Sequence, residues 1–106
     1  MRILRKLIVF PCAVLAFGAC ASTPEQSLDW GRSLAEANCA RCHAVGPEGG
    51  SPNAFAPLFR DLRKTYSLES IERTFGRGQI DVHPPMPSFA IRPEDLRDLL
   101  NYIKSV

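Results

Sequence analysis

The sequence has few of the residues that metal and redox sites commonly use. Its 106 residues include 4 cysteines, 2 methionines and 2 histidines. No cysteine follows Cys42, and His83 is the only histidine besides His43. A structural zinc site needs four ligands and would draw a second Cys or His pair from later in the chain. A thioredoxin-like dithiol expects strand–helix–strand units, and no segment shows a convincing strand pattern. Both kinds of site are therefore disfavoured.

The chain also lacks a basic surplus once its N-terminus is set aside. Arg2, Arg5 and Lys6 precede an uncharged run over residues 7–19, which is typical of a secretory signal and short for a membrane span. An uncleaved anchor is the alternative. Removing these three charges leaves 10 of the 13 basic side chains against 11 acidic ones, a net charge of −1. No basic stripe remains for nucleic acid.

The uncharged run ends in "FGAC", which resembles a bacterial lipobox, a motif whose cysteine is acylated. Cys20 is therefore a predicted lipidation site, although Phe17 stands where such motifs usually have leucine. The alternative is ordinary cleavage after Ala21. The predicted organisation is a signal over residues 1–19, or 1–21 under ordinary cleavage, followed by one domain over residues 20–106.

The remaining chain predicts an all-α domain. Thr23 and Gln26 have capping-box spacing, and Ser67 is placed to cap a later helix. The final helix begins at Pro93 after Arg92, a poor capping residue. The expected helices cover residues 22–39, 57–66, 68–75 and 93–106. The inward face of the first is expected to hold Leu28, Gly31, Leu34 and Ala35.

The most specific signal is "CARCH", with Cys39 and Cys42 three apart and His43 next. C-x-x-C-H is the pattern of c-type haem attachment, in which each thiol adds to a vinyl group and the histidine reaches the iron. A disulfide would leave His43 without a role. A domain of about 85 residues is small for a self-sufficient core, and a covalent haem c would supply a large apolar body to pack against.

The second axial position decides what such a haem can do. A filled position favours electron transfer, whereas an open one binds gases or peroxide. Met86 lies between Pro85 and Pro87, which stiffen its loop, and it is the predicted second ligand. His83 is the alternative ligand. A methionine in such a loop can also be a core gap-filler.

At this point the sequence resembles the small class I cytochrome c family over about residues 24–105. "CARCH", "HPPMPSF" and "LLNYIK" carry the resemblance. It implies three to five short helices around one covalent haem, with the first and last helices crossing at a glycine and an aromatic residue. Gly31 and Tyr102 match those two positions. Ala35 departs from the family, which often has an aromatic residue there, and Trp30 either fills that gap or lies on the surface.

The resemblance also implies a proline whose carbonyl accepts the N–H of the ligating histidine. "APLF" makes Pro57 the first choice and Pro52 the second, with ordinary loop punctuation as the alternative for both. Such a bond orients the imidazole and raises its basicity. A nearby basic run is expected to be a solvated helix face. It consists of Arg60, Arg63 and Lys64.

The implied function is single-electron transfer without bond-making on a substrate. The expected protein is a periplasmic monomer that docks transiently with redox proteins, binds no nucleic acid, and sits on a membrane surface if Cys20 is acylated. One alternative is a tethered cytochrome subunit of a dehydrogenase or oxidase complex. Another, of a different class, is a haem-based gas or redox sensor in which Met86 leaves the iron.

Overall fold

The computed structural model describes residue 18 and residues 20–77, 86–87 and 90–106. Within these ranges the structure is helical, without strands, as the sequence predicts. None of the described helices is long and apolar enough to cross a membrane. The predicted signal lies almost wholly outside the described residues, and so do His83 and most of its loop. The helices are α1 Pro24–Asn38, α2 Phe59–Thr65, α3 Leu68–Gly76 and α4 Pro93–Ser105.

The first helix begins where the sequence predicts. The Thr23 hydroxyl accepts from the Gln26 amide at 3.2 Å, and the Gln26 side chain accepts from the Thr23 amide at 2.9 Å. This capping box satisfies two amide groups that the first turn cannot pair internally. Pro24 occupies a first-turn position that needs no donor. At the other end, the Cys39 amide donates to the Ala35 carbonyl at 2.8 Å, so α1 delivers Cys39 directly.

The other helices begin less uniformly. Ser67 caps α3 by accepting from the Ser70 amide at 3.1 Å. Neither α2 nor α4 has a side-chain cap. Instead, α4 begins with Pro93 and carries Glu94 and Asp95 in its first turn, where negative charge is favourable. Arg92 is thus a weak cap, as expected, and the helix still begins next to it.

The first and last helices cross at Gly31. A Cβ atom placed there would lie 2.7 Å from the Asp98 carbonyl carbon and 2.8 Å from Tyr102 Cβ, far inside ordinary contact distance. Only glycine lets the two backbones approach this closely. Ala35, one turn further on, is completely buried. The glycine and aromatic positions implied by the family resemblance therefore meet at the crossing, and the alanine fits the same close approach.

Polar side chains join the same two helices. The Ser27 hydroxyl donates to an Asp98 carboxylate oxygen at 2.6 Å, and the Asn101 amide donates to the Ser27 oxygen at 3.0 Å. Ser27 and Asp98 are both buried. Each therefore needs the other as a partner, because an unpaired buried polar group is costly.

A second polar contact lies at the α4 N-terminus. The Trp30 indole donates to Asp95 at 2.7 Å, and Arg92 makes two hydrogen bonds to the same carboxylate, at 2.7 and 3.0 Å. The hydrogen-bonded Arg92, and then Trp30, hold the pKa of Asp95 below its ordinary value. Trp30 is half exposed and does not replace the missing aromatic residue at Ala35.

One predicted inward residue is placed differently. Leu28 remains exposed, and the buried position beside it belongs to Ser27. The Asp98 carboxylate explains the difference, since it accepts the Ser27 hydroxyl across the crossing. Leu34 is partly buried, while Gly31 and Ala35 are buried as predicted.

The core extends from the crossing toward the two short helices. Leu99 and Ile103 of α4 are almost completely enclosed, and Phe59 of α2 and Ile71 of α3 are buried in the same apolar cluster. Both short helices pack on α4. Cys39 and Val45, from the segment that follows α1, belong to the same cluster.

Candidate haem site

A single turn at the end of α1 gathers the predicted attachment residues. The Cys39 carbonyl accepts from the Cys42 amide at 3.1 Å and from the His43 amide at 2.9 Å. Cys39 and His43 are buried, whereas Cys42 is exposed. Burial raises the pKa of the Cys39 thiol to about 11, so it is protonated at neutral pH. One of the two attachment cysteines is therefore enclosed by the fold, and the other faces solvent.

The His43 ring is held by the backbone of the next loop. Its Nδ1 lies 2.6 Å from the Pro57 carbonyl oxygen. A carbonyl can only accept, so Nδ1 carries the proton and the imidazole lone pair is on Nε2. The Phe59 ring stands edge-on to the imidazole at 5.6 Å between centroids. Of the two candidate prolines, Pro57 makes this bond and Pro52 is exposed.

The loop between His43 and Pro57 is tied to the attachment turn by short hydrogen bonds. The Asn53 amide donates to the Cys42 carbonyl at 3.1 Å, and the Ala44 amide donates to the Ser51 hydroxyl at 2.9 Å. At the start of α2, the Phe59 amide donates to the Ala44 carbonyl at 3.0 Å. These bonds fix the position of the Pro57 carbonyl relative to His43.

An apolar cleft lies between the attachment turn, α2, α3 and the described part of the Met86 loop. His43 and Met86 both line it, although they are far apart in sequence. The cleft has the Cys39 thiol, an imidazole and a thioether on its lining, and Cys42 lies in the adjoining turn. Such a cleft has the donor set and the apolar surface that a haem requires. The residues present therefore fit the group. The full lining is Cys39, His43, Phe59, Leu62, Tyr66, Ser70, Ile71, Thr74, Phe75, Met86 and Ile103.

Several features of the site cannot be predicted from the sequence. The Tyr102 hydroxyl donates to the Val45 carbonyl at 2.8 Å, joining α4 to the chain just after His43. Tyr66, Ser70 and Thr74 give an otherwise apolar lining a few hydroxyl groups. The spacing of these residues carries no such signal, because each position depends on how α2, α3 and α4 pack.

The side chains of the basic run on α2 bond to other groups of the same chain. Arg60 donates to the Gly49 carbonyl at 2.8 Å, Arg63 donates to the Lys104 carbonyl at 3.1 Å, and Lys64 pairs with Asp61 at 2.6 Å. In the described part of the chain, no group of three or more His, Cys, Asp or Glu side chains is arranged to hold a metal ion.

Comparison with known proteins places these observations in a family. The cytochrome c family profile matches residues 28–106. A cytochrome c-553-like protein of Synechocystis sp. is 35% identical over 78 residues, covering 74% of this chain and 68% of that protein. Cytochrome c-552 of Bradyrhizobium diazoefficiens is 30% identical over 96 residues, covering 90% of each. No solved structure matches at a significant level.

The family implies a covalently bound c-type haem, and Cys39, Cys42 and His43 fit its C-x-x-C-H motif. The four helices and the glycine at the α1–α4 crossing agree with that assignment. The chain belongs to the small class I cytochrome c family.

Proposed function

We propose that the protein is a single-electron carrier in which Cys39 and Cys42 bind the haem covalently and His43 and Met86 are its axial ligands. One observation carries this proposal: His43 and Met86 line the same apolar cleft. When bound, the haem supplies the one-electron couple. The residues of the chain attach it, orient the ligands and exclude water.

Pro57 has the role of a positioning residue. Its carbonyl accepts the Nδ1 proton of His43, which fixes the tautomer with the lone pair on Nε2. The bond also makes the imidazole a better donor. Because Phe59 packs edge-on against the same ring, His43 needs little rearrangement when the oxidation state changes.

Met86 determines the type of function. A neutral thioether that occupies the second axial position favours electron transfer over binding of gas or peroxide. Pro85 and Pro87 flank it in sequence and restrict the backbone, which helps to keep a weak ligand in place. The apolar lining and the sulfur ligand together favour the reduced state and a comparatively high potential.

The proposed location is the periplasm, after export by the N-terminal segment. Cys20 is exposed just ahead of α1, so its acylation would leave the described domain unobstructed. Cys20→Ser should then move the protein from the membrane fraction to the soluble periplasm with its haem content unchanged. A wild-type protein that is already soluble and begins at Ser22 contradicts the lipid anchor and leaves electron transfer unaffected.

The function is tested by Met86→Ala in the purified holoprotein. We expect the oxidised variant to lose its sulfur-to-iron absorption band and its reduction potential to fall, since water or a nitrogen ligand favours ferric iron more than sulfur does. The reduced variant should bind carbon monoxide much faster than wild type. His83→Ala is the control and should keep the sulfur band.

Two outcomes would contradict the assignment. A wild type that lacks the sulfur-to-iron band, and whose spectrum changes in His83→Ala but not in Met86→Ala, would assign the second axial position to His83. Fast carbon monoxide binding by the reduced wild type would instead favour a sensor, because the second axial position would then be accessible without removing a ligand.

A further inference from the structure

We propose that the end of the domain beside Cys20 is a surface that contacts a phospholipid bilayer, and that it holds the haem cleft away from the membrane. The surface consists of Trp30, Arg92, Glu94 and Arg97 and is called the Trp30 surface below. This inference rests on the acylation of Cys20 that belongs to the proposed function, and it names the part of the domain that then lies on the lipid.

A polar groove places Cys20 beside this surface. Residues 20–22 line the groove together with Gln26 and Trp30 of α1 and with positions between 92 and 98. Cys20 also lies close to the helix in sequence, because the three steps from Cys20 to the cap residue Thr23 span at most about 11 Å when fully extended. Acyl chains on Cys20 therefore bring the N-terminal ends of α1 and α4 to the membrane surface.

The haem cleft lies toward the other end of the same two helices. The 15 residues of α1 rise about 22 Å before the helix delivers Cys39 to the cleft. From the last part of the chain, the groove takes positions between 92 and 98, whereas the cleft takes Ile103. Among the described residues, the two linings share none. A bilayer that contacts the Trp30 surface therefore does not cover the cleft, and a redox partner reaches the haem from the aqueous side.

Trp30 suits a position at a membrane–water interface. Its side chain is 48% exposed, and its indole N–H donates to Asp95 at 2.7 Å. Because this donor is already satisfied, the exposed part of the ring can enter the headgroup region without leaving an unpaired polar atom. Tryptophan is enriched at such interfaces because its ring is amphipathic. The bond to Asp95 also holds the ring at the rim of the groove.

The charges of the surface indicate the kind of lipid. Arg92 and Arg97 are largely exposed, so their guanidinium groups can bond to lipid phosphates. Each is also paired with a carboxylate of the same chain, Arg92 with Glu94 and Asp95 and Arg97 with Asp98. Three carboxylates beside two guanidinium groups leave no positive excess to attract anionic lipid. The matching surface is a zwitterionic phospholipid bilayer, whose headgroups offer both a phosphate and an ammonium group.

The test measures the depth of two nitroxide labels on the acylated holoprotein in phosphatidylcholine vesicles. Glu94→Cys places one label on the Trp30 surface. Phe55→Cys places the other at a residue that is 91% exposed, in a turn whose Asn53 amide donates to the Cys42 carbonyl. Each value is referred to the same label on Cys20→Ser protein without vesicles, which removes differences in local exposure. Collisions with a water-soluble nickel complex should fall by at least about threefold at residue 94 and stay unchanged at residue 55, because the headgroup layer excludes the complex.

Trp30→Ser tests the surface without removing the acyl chains. It should stay on the vesicles and lose the protection at residue 94, because the domain is then free to turn about its anchor. Leu28→Ser is the matched control, since Leu28 is an exposed apolar residue of the same helix that does not line the groove. It should keep the protection. Both variants should retain the wild-type reduction potential and sulfur-to-iron band, which shows that the haem site is intact.

Equal accessibility of the two labels on the vesicle-bound protein overturns the proposal, and so does protection at residue 94 that persists in Trp30→Ser. Accessibility at residue 94 that falls with protein concentration in the Cys20→Ser reference also overturns it, because a second copy would then cover the surface. A mature protein that carries no acyl chain in mass spectrometry overturns it together with the lipid anchor. Failure of electron transfer is distinguishable, since the wild type would then lack a reversible one-electron couple in voltammetry.

Discussion

The α1–α4 crossing and the haem cleft are stabilised in different ways. The crossing is closed by the protein's own contacts. Gly31 packs against the Asp98 backbone and Tyr102 Cβ, and Ser27 makes a buried hydrogen bond to Asp98. The cleft is an apolar space between α2, α3 and the attachment turn. Apolar walls that do not meet each other gain little from burial until something fills the space. The packing of the crossing is therefore complete within the protein, whereas the walls of the cleft depend on the cofactor for their packing.

The largest expected effect comes from emptying the cleft. In Cys39→Ala/Cys42→Ala, made with a cytochrome c maturation system, haem should no longer stay on the polypeptide through denaturing electrophoresis. Amide-exchange protection should then fall more in α2 and α3 than in α1 and α4, because the short helices supply most of the cleft lining. Cys20→Ser is the matched cysteine control and should retain its haem. Release of haem from the wild type by acid–acetone extraction would contradict covalent attachment.

The next effect comes from opening the crossing. Gly31→Ala should reduce the free energy of unfolding by about 1–3 kcal/mol, because the added Cβ must displace the backbone of α4. The sulfur-to-iron band should stay intact, since neither Gly31 nor the α4 residues that it meets line the cleft. Chemical denaturation followed by helix content gives the measurement.

Gly76→Ala is the control for that substitution. Gly76 is the last residue of α3, and a Cβ there has no neighbour within 4 Å. It should leave stability unchanged or raise it by about 0.4–1 kcal/mol. Equal losses at Gly31 and Gly76 would mean that close packing at the crossing is not what the glycine provides.

A smaller effect is expected from Ser27→Ala, which takes the hydroxyl donor from the buried Asp98 carboxylate and the acceptor from Asn101. The loss should be about 1 kcal/mol of unfolding free energy. Ser33→Ala, on the same helix, removes a hydroxyl that bonds only to the Asp29 carbonyl within α1 and should change stability by less than about 0.5 kcal/mol. Indistinguishable unfolding midpoints for the two variants would show that the buried bond adds nothing.

The smallest expected effect is a pH dependence at the N-terminal end of the crossing. The pKa of Asp95 is lowered by its hydrogen bonds with Arg92 and then Trp30, so the carboxylate stabilises the fold above the unfolded pKa of about 3.9. That contribution is lost as pH falls through the lower folded value. Asp95→Asn should therefore lose less stability than wild type between pH 7 and pH 3, measured by urea unfolding. Equal losses of stability in the two proteins between pH 7 and pH 3 would show that Asp95 does not contribute to acid sensitivity.

Local chemistry made much of the fold predictable. Thr23 and Ser67 cap their helices because capping depends on residues three apart in sequence. The final helix begins at Pro93 as predicted, although Arg92 gives no cap. By contrast, helical period assigns a face only to within about one residue, which is why Leu28 was expected inside and Ser27 is buried there.

The features of the site also divide into those that local sequence predicts and those that depend on packing. "CARCH" is a contiguous motif, so its chemistry could be predicted without any structure. Sequence left Pro57 and Pro52 as alternatives, because a carbonyl has no side-chain signature, and the structure distinguishes them through His43. The bond of Trp30 to Asp95 and the outward position of Phe55 depend on long-range packing and on one particular turn. Neither follows from spacing alone.

The long-range bond between Ser27 and Asp98 has a consequence for biosynthesis. These partners are 71 residues apart, so the two helices cannot meet until the segment from Pro93 onward has been synthesised. The attachment turn at Cys39 is synthesised soon after α1 and long before α4, the helix that completes the crossing. Before the crossing closes, both thiols are accessible, including that of Cys39, which the finished fold encloses. The order of residues along the chain thereby favours ligation first and closure afterwards.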